Sequence, residues 1–234
     1  MGEEGVCVMS IEAILDRTFL FGDGSLEELG ALAAGTRRRR YARGEAIFRE
    51  GDPAMGVYVI EEGRVKVVLS APGGEERILA LLGPGEVLGE LEMLDGRVRC
   101  TDVVACEDSV LVFLGREAFV EFLLQHSEAA LRLARLLSRR LRSAYLQVHD
   151  STFYDVRGRL AQALLQLGAE QGERKDDGTV LCPRLSQSEL AHLIGATRES
   201  VNKWLRWFEH RELIRRSGGQ VMLLDRERLE REVY

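Results

Sequence analysis

Between Gly44 and Gly96, ten glycines (44, 51, 56, 63, 73, 74, 83, 85, 89 and 96) separate short runs rich in valine and isoleucine. Glycine at that density marks turns, because it takes up left-handed backbone at no steric cost. The runs Val57–Ile60, Val65–Leu69, Ile78–Leu82, Val103–Cys106 and Val110–Leu114 recur at the spacing of an antiparallel sandwich or barrel. Residues from about 40 to 115 therefore read as a small β-roll.

From Gly115 the apolar positions shift from period two to helical spacing, and helix is expected as far as about Tyr154. Within it Ala130, Ala134, Leu137, Leu141, Ala144 and Val148 recur at alternating steps of three and four, flanked by Arg132, Arg135, Arg139 and Arg142. Such a seam fits a helix paired with a second copy of the chain; it also fits a helix packed only on its own β-roll. A further helix is expected over Asp155–Gly168, ended by Gly168 and Gly172, before a polar loop at Glu170–Gly178.

The C-terminal part carries the pattern closest to chemistry. Ser186-Gln-Ser-Glu189 is a capping box that starts a helix; the helix breaks at Gly195 and a second starts after Thr197, running to about His210. Two short helices joined by a tight glycine turn make a helix-turn-helix. On the second, Val201, Trp204, Leu205 and Phe208 are expected to face inward, leaving Arg198, Glu199, Asn202, Lys203 and Arg206 on the solvent face. Arginine or lysine can bond guanine O6 and N7, glutamate can accept from cytosine N4, and Ser186 and Ser188 can position a phosphate. The same face also reads as a solvated charged helix. Arg184–Arg216 holds seven basic and four acidic residues, net +3, inside a chain of net charge −6. Nucleic-acid binding by bulk charge is thus excluded, and a local basic face is not. Leu213–Leu223 reads as a wing hairpin turning at Gly218-Gly219.

Other classes find no support. Met1–Cys7 lacks the basic flank and long apolar run of a signal peptide, and the longest apolar runs are too short to span a membrane, so a cytoplasmic protein is expected. Cys7, Cys100, Cys106 and Cys182 are scattered, as are His126, His149, His192 and His210, so neither a disulfide framework nor a metal site is indicated. With no nucleophile–base pair and no phosphate-cradling glycine loop, an enzyme is not expected.

Three stretches give the chain a family resemblance: Gly89-Glu-Leu91 followed by Val98-Arg-Cys-Thr101; Tyr154-Asp-Val-Arg-Gly-Arg-Leu-Ala-Gln162; and Leu185-Ser-Gln-Ser-Glu-Leu-Ala191 with Gly195-Ala-Thr-Arg-Glu-Ser-Val201. Over nearly its whole length the chain resembles the CRP/FNR family of bacterial transcription regulators. The resemblance implies an α+β protein: a cyclic-nucleotide-binding-type β-roll (jelly roll) over residues 1–127, a dimerisation helix over 128–154, and a winged helix-turn-helix over 155–234.

It also implies a ligand, cAMP or another cyclic nucleotide, with Gly89, Glu90, Leu91, Arg99 and Cys100 as its phosphate cassette. Glu90 would hold the ribose 2′-hydroxyl and Arg99 the cyclic phosphate; guanidinium donors suit a phosphate, and Gly89 lets backbone approach an anion. By themselves Arg99 and Glu90 also read as a surface salt bridge. Cys100 stands where the family has Ser or Thr, and a thiol is a poor donor. Ala144 and Tyr145 align with the hydroxyl residues that meet adenine. Ala144 offers no hydrogen bond, whereas Tyr145 can stack on a purine, donate its hydroxyl, or fill the pocket of a ligand-free active state. Cys7 alone in the N-terminal region does not provide the cysteine cluster of the iron–sulfur branch, and His126 and His149 have no evident role as haem ligands.

For partners, the resemblance implies a homodimer on double-stranded DNA with palindromic, TGTGA-like half-sites read by Arg198, Glu199 and Lys203. It implies activation through RNA polymerase, with the Glu170–Gly178 loop as a candidate contact. The competing readings are a ligand-independent transcription factor of the same family and a cyclic-nucleotide-binding module acting on protein partners. Arg198, Glu199 and Lys203 argue against the second, because a protein-docking face more often exposes apolar anchors.

Overall fold

In a computed structural model the described residues are 9–22 and 24–233, so the expectations that rest on Met1–Cys7 fall outside them. Helices α1 (Ile11–Asp16) and α2 (Leu26–Ala34) precede β1 (Thr36–Tyr41), β2 (Ala46–Phe48), β3 (Gly56–Glu62), β4 (Val65–Ser70), β5 (Glu76–Leu82) and β6 (Val87–Leu88). After them come α3 (Leu91–Asp95), β7 (Asp102–Ala105), β8 (Ser109–Gly115), α4 (Arg116–Gln125) and α5 (Ser127–Phe153). The chain continues through α6 (Val156–Gln171), β9 (Glu173–Arg174), β10 (Val180–Leu181), α7 (Gln187–Ile194), α8 (Arg198–His210), β11 (Ile214–Ser217), β12 (Gln220–Leu223) and α9 (Arg226–Glu230). It divides into two compact units, Met1–Val68 with Ala80–Arg140, and Leu69–Leu79 with Leu141–Tyr234, so that α5 and the β4–β5 hairpin are each shared between them. Among the described residues no helix is long and apolar enough to cross a membrane.

The β-roll consists of two four-stranded sheets in the orders β1-β8-β3-β6 and β2-β7-β4-β5. All five apolar runs lie within strands or at their ends. Alternation along β3 explains why it reads as a continuous apolar run: Val57 and Val59 pack with Leu15, Leu29 and Phe119 of the helices and with Phe21 between α1 and α2, while Tyr58 and Ile60 pack with Ile47, Val65 and Val103 of the other sheet. Each such apolar side chain taken from water contributes about 1.5–3 kcal/mol.

The roll begins earlier than the apolar pattern suggests. Strand β1 carries Arg37, Arg38, Arg39 and Arg40 and pairs antiparallel with β8 from Thr36↔Leu114 to Tyr41↔Ser109. It tolerates this charge because it is an edge strand whose arginines find partners. Arg38 meets Glu61 at 2.6 Å, and the Arg39 guanidinium lies 4.5 Å from the Phe113 ring centroid.

Helix α5 buries Ala129 and Leu133 against its own roll, and Leu137 packs there in part. The other positions of the expected seam, Ala130, Ala134, Leu141, Ala144 and Val148, are exposed. Helix α6 opens on Asp155, whose side chain accepts from the Gly158 N–H at 2.8 Å. Gly168 does not end it. The helix runs to Gln171, and Gly168 is a packing position where a Cβ would come within 2.7 Å of the Leu223 side chain.

Candidate functional site

Strand β6 ends at Leu88, and the chain turns into α3 through Gly89, which has φ +80°. Glycine is needed there twice, since a Cβ would also lie 2.6 Å from Arg99 Nη1. Arg99 is 2% exposed and donates to three partners: Gly89 O at 2.7 Å, Gly56 O at 2.5 Å and Glu92 Oε2 at 3.0 Å. Its guanidinium lies over Phe48 at 4.2 Å, and its Nε has no partner.

Glu90 has no exposed surface. One oxygen accepts from Arg140 of α5, which also donates to Val87 O; the other, Oε2, is buried and has no partner. Burial raises the Glu90 pKa above the usual carboxylate value, and Arg140 only partly opposes the rise. Arg99 and Glu90 therefore do not form the surface salt bridge that the residues by themselves allowed. Both are interior, and their ionic partners are Glu92 and Arg140.

Cys100 offers its backbone N–H to Glu92 Oε1 at 3.1 Å. Burial would raise Glu92, but the bonds from the Cys100 thiol, the Cys100 amide and Arg99 outweigh it and hold this carboxyl below its usual value. Cys100 responds in the opposite sense. It is exposed by area, yet partial burial of its thiol and the neighbouring carboxylate push it up to about 11. Leu91, on α3, is 47% exposed. Ala144 and Tyr145 belong to the other compact unit, where Tyr145 is 66% exposed.

The interior of the roll thus presents a guanidinium, a backbone N–H and a carboxylate with one free oxygen. Those groups suit an anion and a hydroxyl donor, and an unmatched buried carboxylate oxygen is costly unless such a donor reaches it. The residues fit a cyclic nucleotide's phosphate and ribose. Sequence reasoning did not single out Arg140, Glu92, Phe48 or Gly56. Only Glu92 carries a signal, as a second carboxylate two positions beyond Glu90.

In the other unit, α7 keeps its capping box: Ser186 Oγ accepts from the Glu189 N–H at 3.1 Å, and Glu189 accepts from the Ser186 N–H at 2.7 Å. Gly195 ends α7 at φ +61°, and Thr197 caps α8 by accepting from the Ser200 N–H at 3.2 Å. Val201, Leu205 and Phe208 are buried as expected. Trp204 is instead half-buried, packed 5.8 Å from Trp207, with Lys203 Nζ 5.1 Å and the Arg157 guanidinium 5.9 Å from its ring. An indole placed among cations loses little by partial exposure.

Ser186, Ser188, Thr197, Arg198, Glu199 and Lys203 are exposed. Asn202 is not a free reader, since its Oδ1 accepts from Gln187 at 3.4 Å and from Arg216 Nη1 at 3.3 Å. Arg216, on wing strand β11, also binds Glu209 of α8 through its backbone N–H at 3.2 Å, Nε at 3.0 Å and Nη2 at 2.6 Å, which holds the Glu209 carboxyl below its usual value. The wing hairpin turns at Gly218-Gly219 within the sheet β11-β12-β10-β9. Exposed Arg, Glu and Lys at the start of a capped helix, with a wing tied beside it, form a surface of the kind that enters a DNA groove.

Residues 38–126 match the cyclic nucleotide-binding domain family, and residues 158–232 match the Crp-like helix-turn-helix domain family. The chain is 35% identical over 221 residues, 94% of its length and 99% of the relative's, to the CRP-like cAMP-activated global transcriptional regulator of Mycobacterium tuberculosis. Among solved structures it is similar to a CRP-family transcriptional regulator of Thermus thermophilus, with 32% identity, a TM-score of 0.70, and coverage of 83% of this chain and 96% of that one. It is also similar to the c-di-GMP-responsive global regulator of Xanthomonas campestris, with 25% identity, a TM-score of 0.73, and coverage of 84% and 98%.

Proposed function

Because the chain belongs to the CRP/FNR family of transcription regulators, we propose that it is a homodimeric activator of transcription controlled by a cyclic nucleotide, cAMP first, held in its β-roll. The family is one of DNA-binding regulators, and both of its domains are present here. The observation that carries the ligand reading is Glu90 Oε2, an unpartnered carboxylate oxygen in a wholly buried residue close in sequence to the buried Arg99. The protein acts by binding and not by catalysis, in the cytoplasm, where its DNA and RNA polymerase are.

A bound cyclic nucleotide supplies one ribose hydroxyl and one phosphodiester anion. Glu90 accepts from the hydroxyl and Arg99 donates to the phosphate, with Cys100 contributing its backbone N–H and a weaker thiol donor. Ligand and DNA are coupled to the extent that the ligand binds one arrangement of the paired α5 helices better than another. The exposed apolar positions Leu141, Ala144, Tyr145 and Val148 are where a second copy would pack. Arg198, Glu199 and Lys203 would then read two half-sites of TGTGA type with centres about 10–10.5 base pairs apart.

One observation favours the ligand-independent alternative: two of the three Arg99 nitrogens already have internal partners. Titrating cAMP, cGMP and c-di-GMP into the full chain, while measuring binding to a pool of inverted-repeat DNA, decides between the two. A rise in DNA affinity with cAMP supports the proposal; full DNA binding without ligand and no response to any of the three overturns it.

A further inference from the structure

Glu92 gives the anion-binding donors of the β-roll an anion that belongs to the chain. Its Oε2 accepts from Arg99 Nη1 at 3.0 Å and its Oε1 from the Cys100 N–H at 3.1 Å. Glu92 is 5% exposed and Arg99 2%, so the exchange is shielded from water. A phosphate asks for the same set of donors, a guanidinium and a backbone N–H.

We propose that Glu92 is a built-in occupant of the phosphate position, a tethered carboxylate that fills the site until a phosphate-bearing ligand displaces it. This rests on reading the β-roll as a site for such a ligand, with Arg99 as the residue that holds the phosphate. Two anions cannot share one guanidinium in a dry pocket, because like charges a few ångströms apart strongly disfavour each other. Entry of the ligand therefore requires the carboxylate to leave. The way out is short, since Glu92 lies on the five-residue α3, whose Leu91 and Leu94 are 47% and 50% exposed.

The two carboxylates have different tasks. Glu90, paired with Arg140, keeps an oxygen free for a hydroxyl, whereas Glu92 competes with the phosphate. A tethered competitor acts at an effective concentration of about millimolar or more. A simple anion, offering nothing beyond the phosphate contacts, loses that competition. A nucleotide that also engages Glu90 can win it. The consequence is selectivity: inorganic phosphate is turned away and a cyclic nucleotide is admitted.

Calorimetry on the full chain, with inorganic phosphate and with cAMP as separate probes, tests this on wild type, Glu92→Gln, Glu92→Ser and Glu92→Ser combined with Arg99→Ala. Removing the competitor frees charge-assisted bonds, so Glu92→Ser should bind cAMP about tenfold more tightly than wild type and should bind phosphate where wild type does not. Glu92→Gln, which keeps shape and loses charge, should fall between, and it carries the comparison alone if Glu92→Ser fails to fold. Loss of Arg99 should abolish the gain. Folded Glu92 variants that bind both probes no better than wild type, or a gain that survives the loss of Arg99, would overturn the assignment. If Glu92→Ser binds phosphate while neither it nor wild type binds a cyclic nucleotide, control by cyclic nucleotides fails and the role of Glu92 stands.

Discussion

Arg140 of α5 donates to Glu90, a carboxylate with no exposed surface that retains one oxygen without a partner. The pair joins the long helix to the strand end that opens the candidate ligand site. Arg140→Ala strands a buried charge. The expected loss is about 2–3 kcal/mol, less than for a fully enclosed pair because Arg140 is partly exposed.

That loss should depend on pH. The folded-state pKa of Glu90 is already raised by burial, and removing Arg140 raises it further. Below the unfolded carboxyl value the side chain is neutral in both states and the charge penalty is absent; as pH rises through the folded value the penalty is fully felt. The gap in stability between wild type and Arg140→Ala, measured by chemical denaturation, should widen from acid to neutral pH. A gap that is constant or narrows on that rise would show that Glu90 is not the group involved.

Leu141→Asp places a charge on the exposed apolar side of α5. If two copies meet there, the variant buries that charge and loses several kcal/mol of association, on the order of 3. Sedimentation should find a dimer for wild type and a monomer for the variant at the same concentration. A dimeric Leu141→Asp protein removes this face from the interface.

At the DNA surface the structure separates residues that look alike in sequence. Arg198 is exposed, and Arg198→Ala should cost about 1–3 kcal/mol at one guanine and relax preference there. Asn202 is occupied by Gln187 and Arg216, so Asn202→Ala should leave base preference unchanged while lowering thermal stability. Selection from random DNA reads both. A changed base preference in Asn202→Ala would mean that its internal bonds are given up on the duplex.

Cys100 should be slow to alkylate despite its exposure. Its thiol, pushed up to about 11, leaves on the order of one thiolate in a thousand at pH 8, where an ordinary cysteine is substantially ionised. Glu92→Ser removes the neighbouring negative charge and should speed the reaction. Mass spectrometry after a timed iodoacetamide pulse checks both.

Apolar periodicity made most of the frame legible. The strands of the roll, the long helix, the capping box at Ser186, the break at Gly195 and the wing turn all follow from spacing and turn chemistry. Strand β1 was hidden because Arg37–Arg40 has no alternation, and its fit depends on Glu61 and Phe113, which are distant in sequence. By residue type Gly168 reads as a stop, when what decides it is the close approach of Leu223. At the candidate site the motif points to Glu90 and Arg99 but not to their partners: Arg140 lies fifty residues from Glu90. Asn202 shows a different limit. Helical periodicity places a side chain on a face and does not say whether a neighbouring strand has already claimed it.

The bonds from Arg216 to Glu209 and Asn202 turn two surfaces into one gauge. With β11 fastened to α8 at a backbone N–H and three guanidinium nitrogens, the wing cannot advance along a duplex independently of the helix beside it. Distance along the DNA thus becomes a measured quantity: a single inserted base pair between a groove contact and a wing contact should be rejected even where every base is correct.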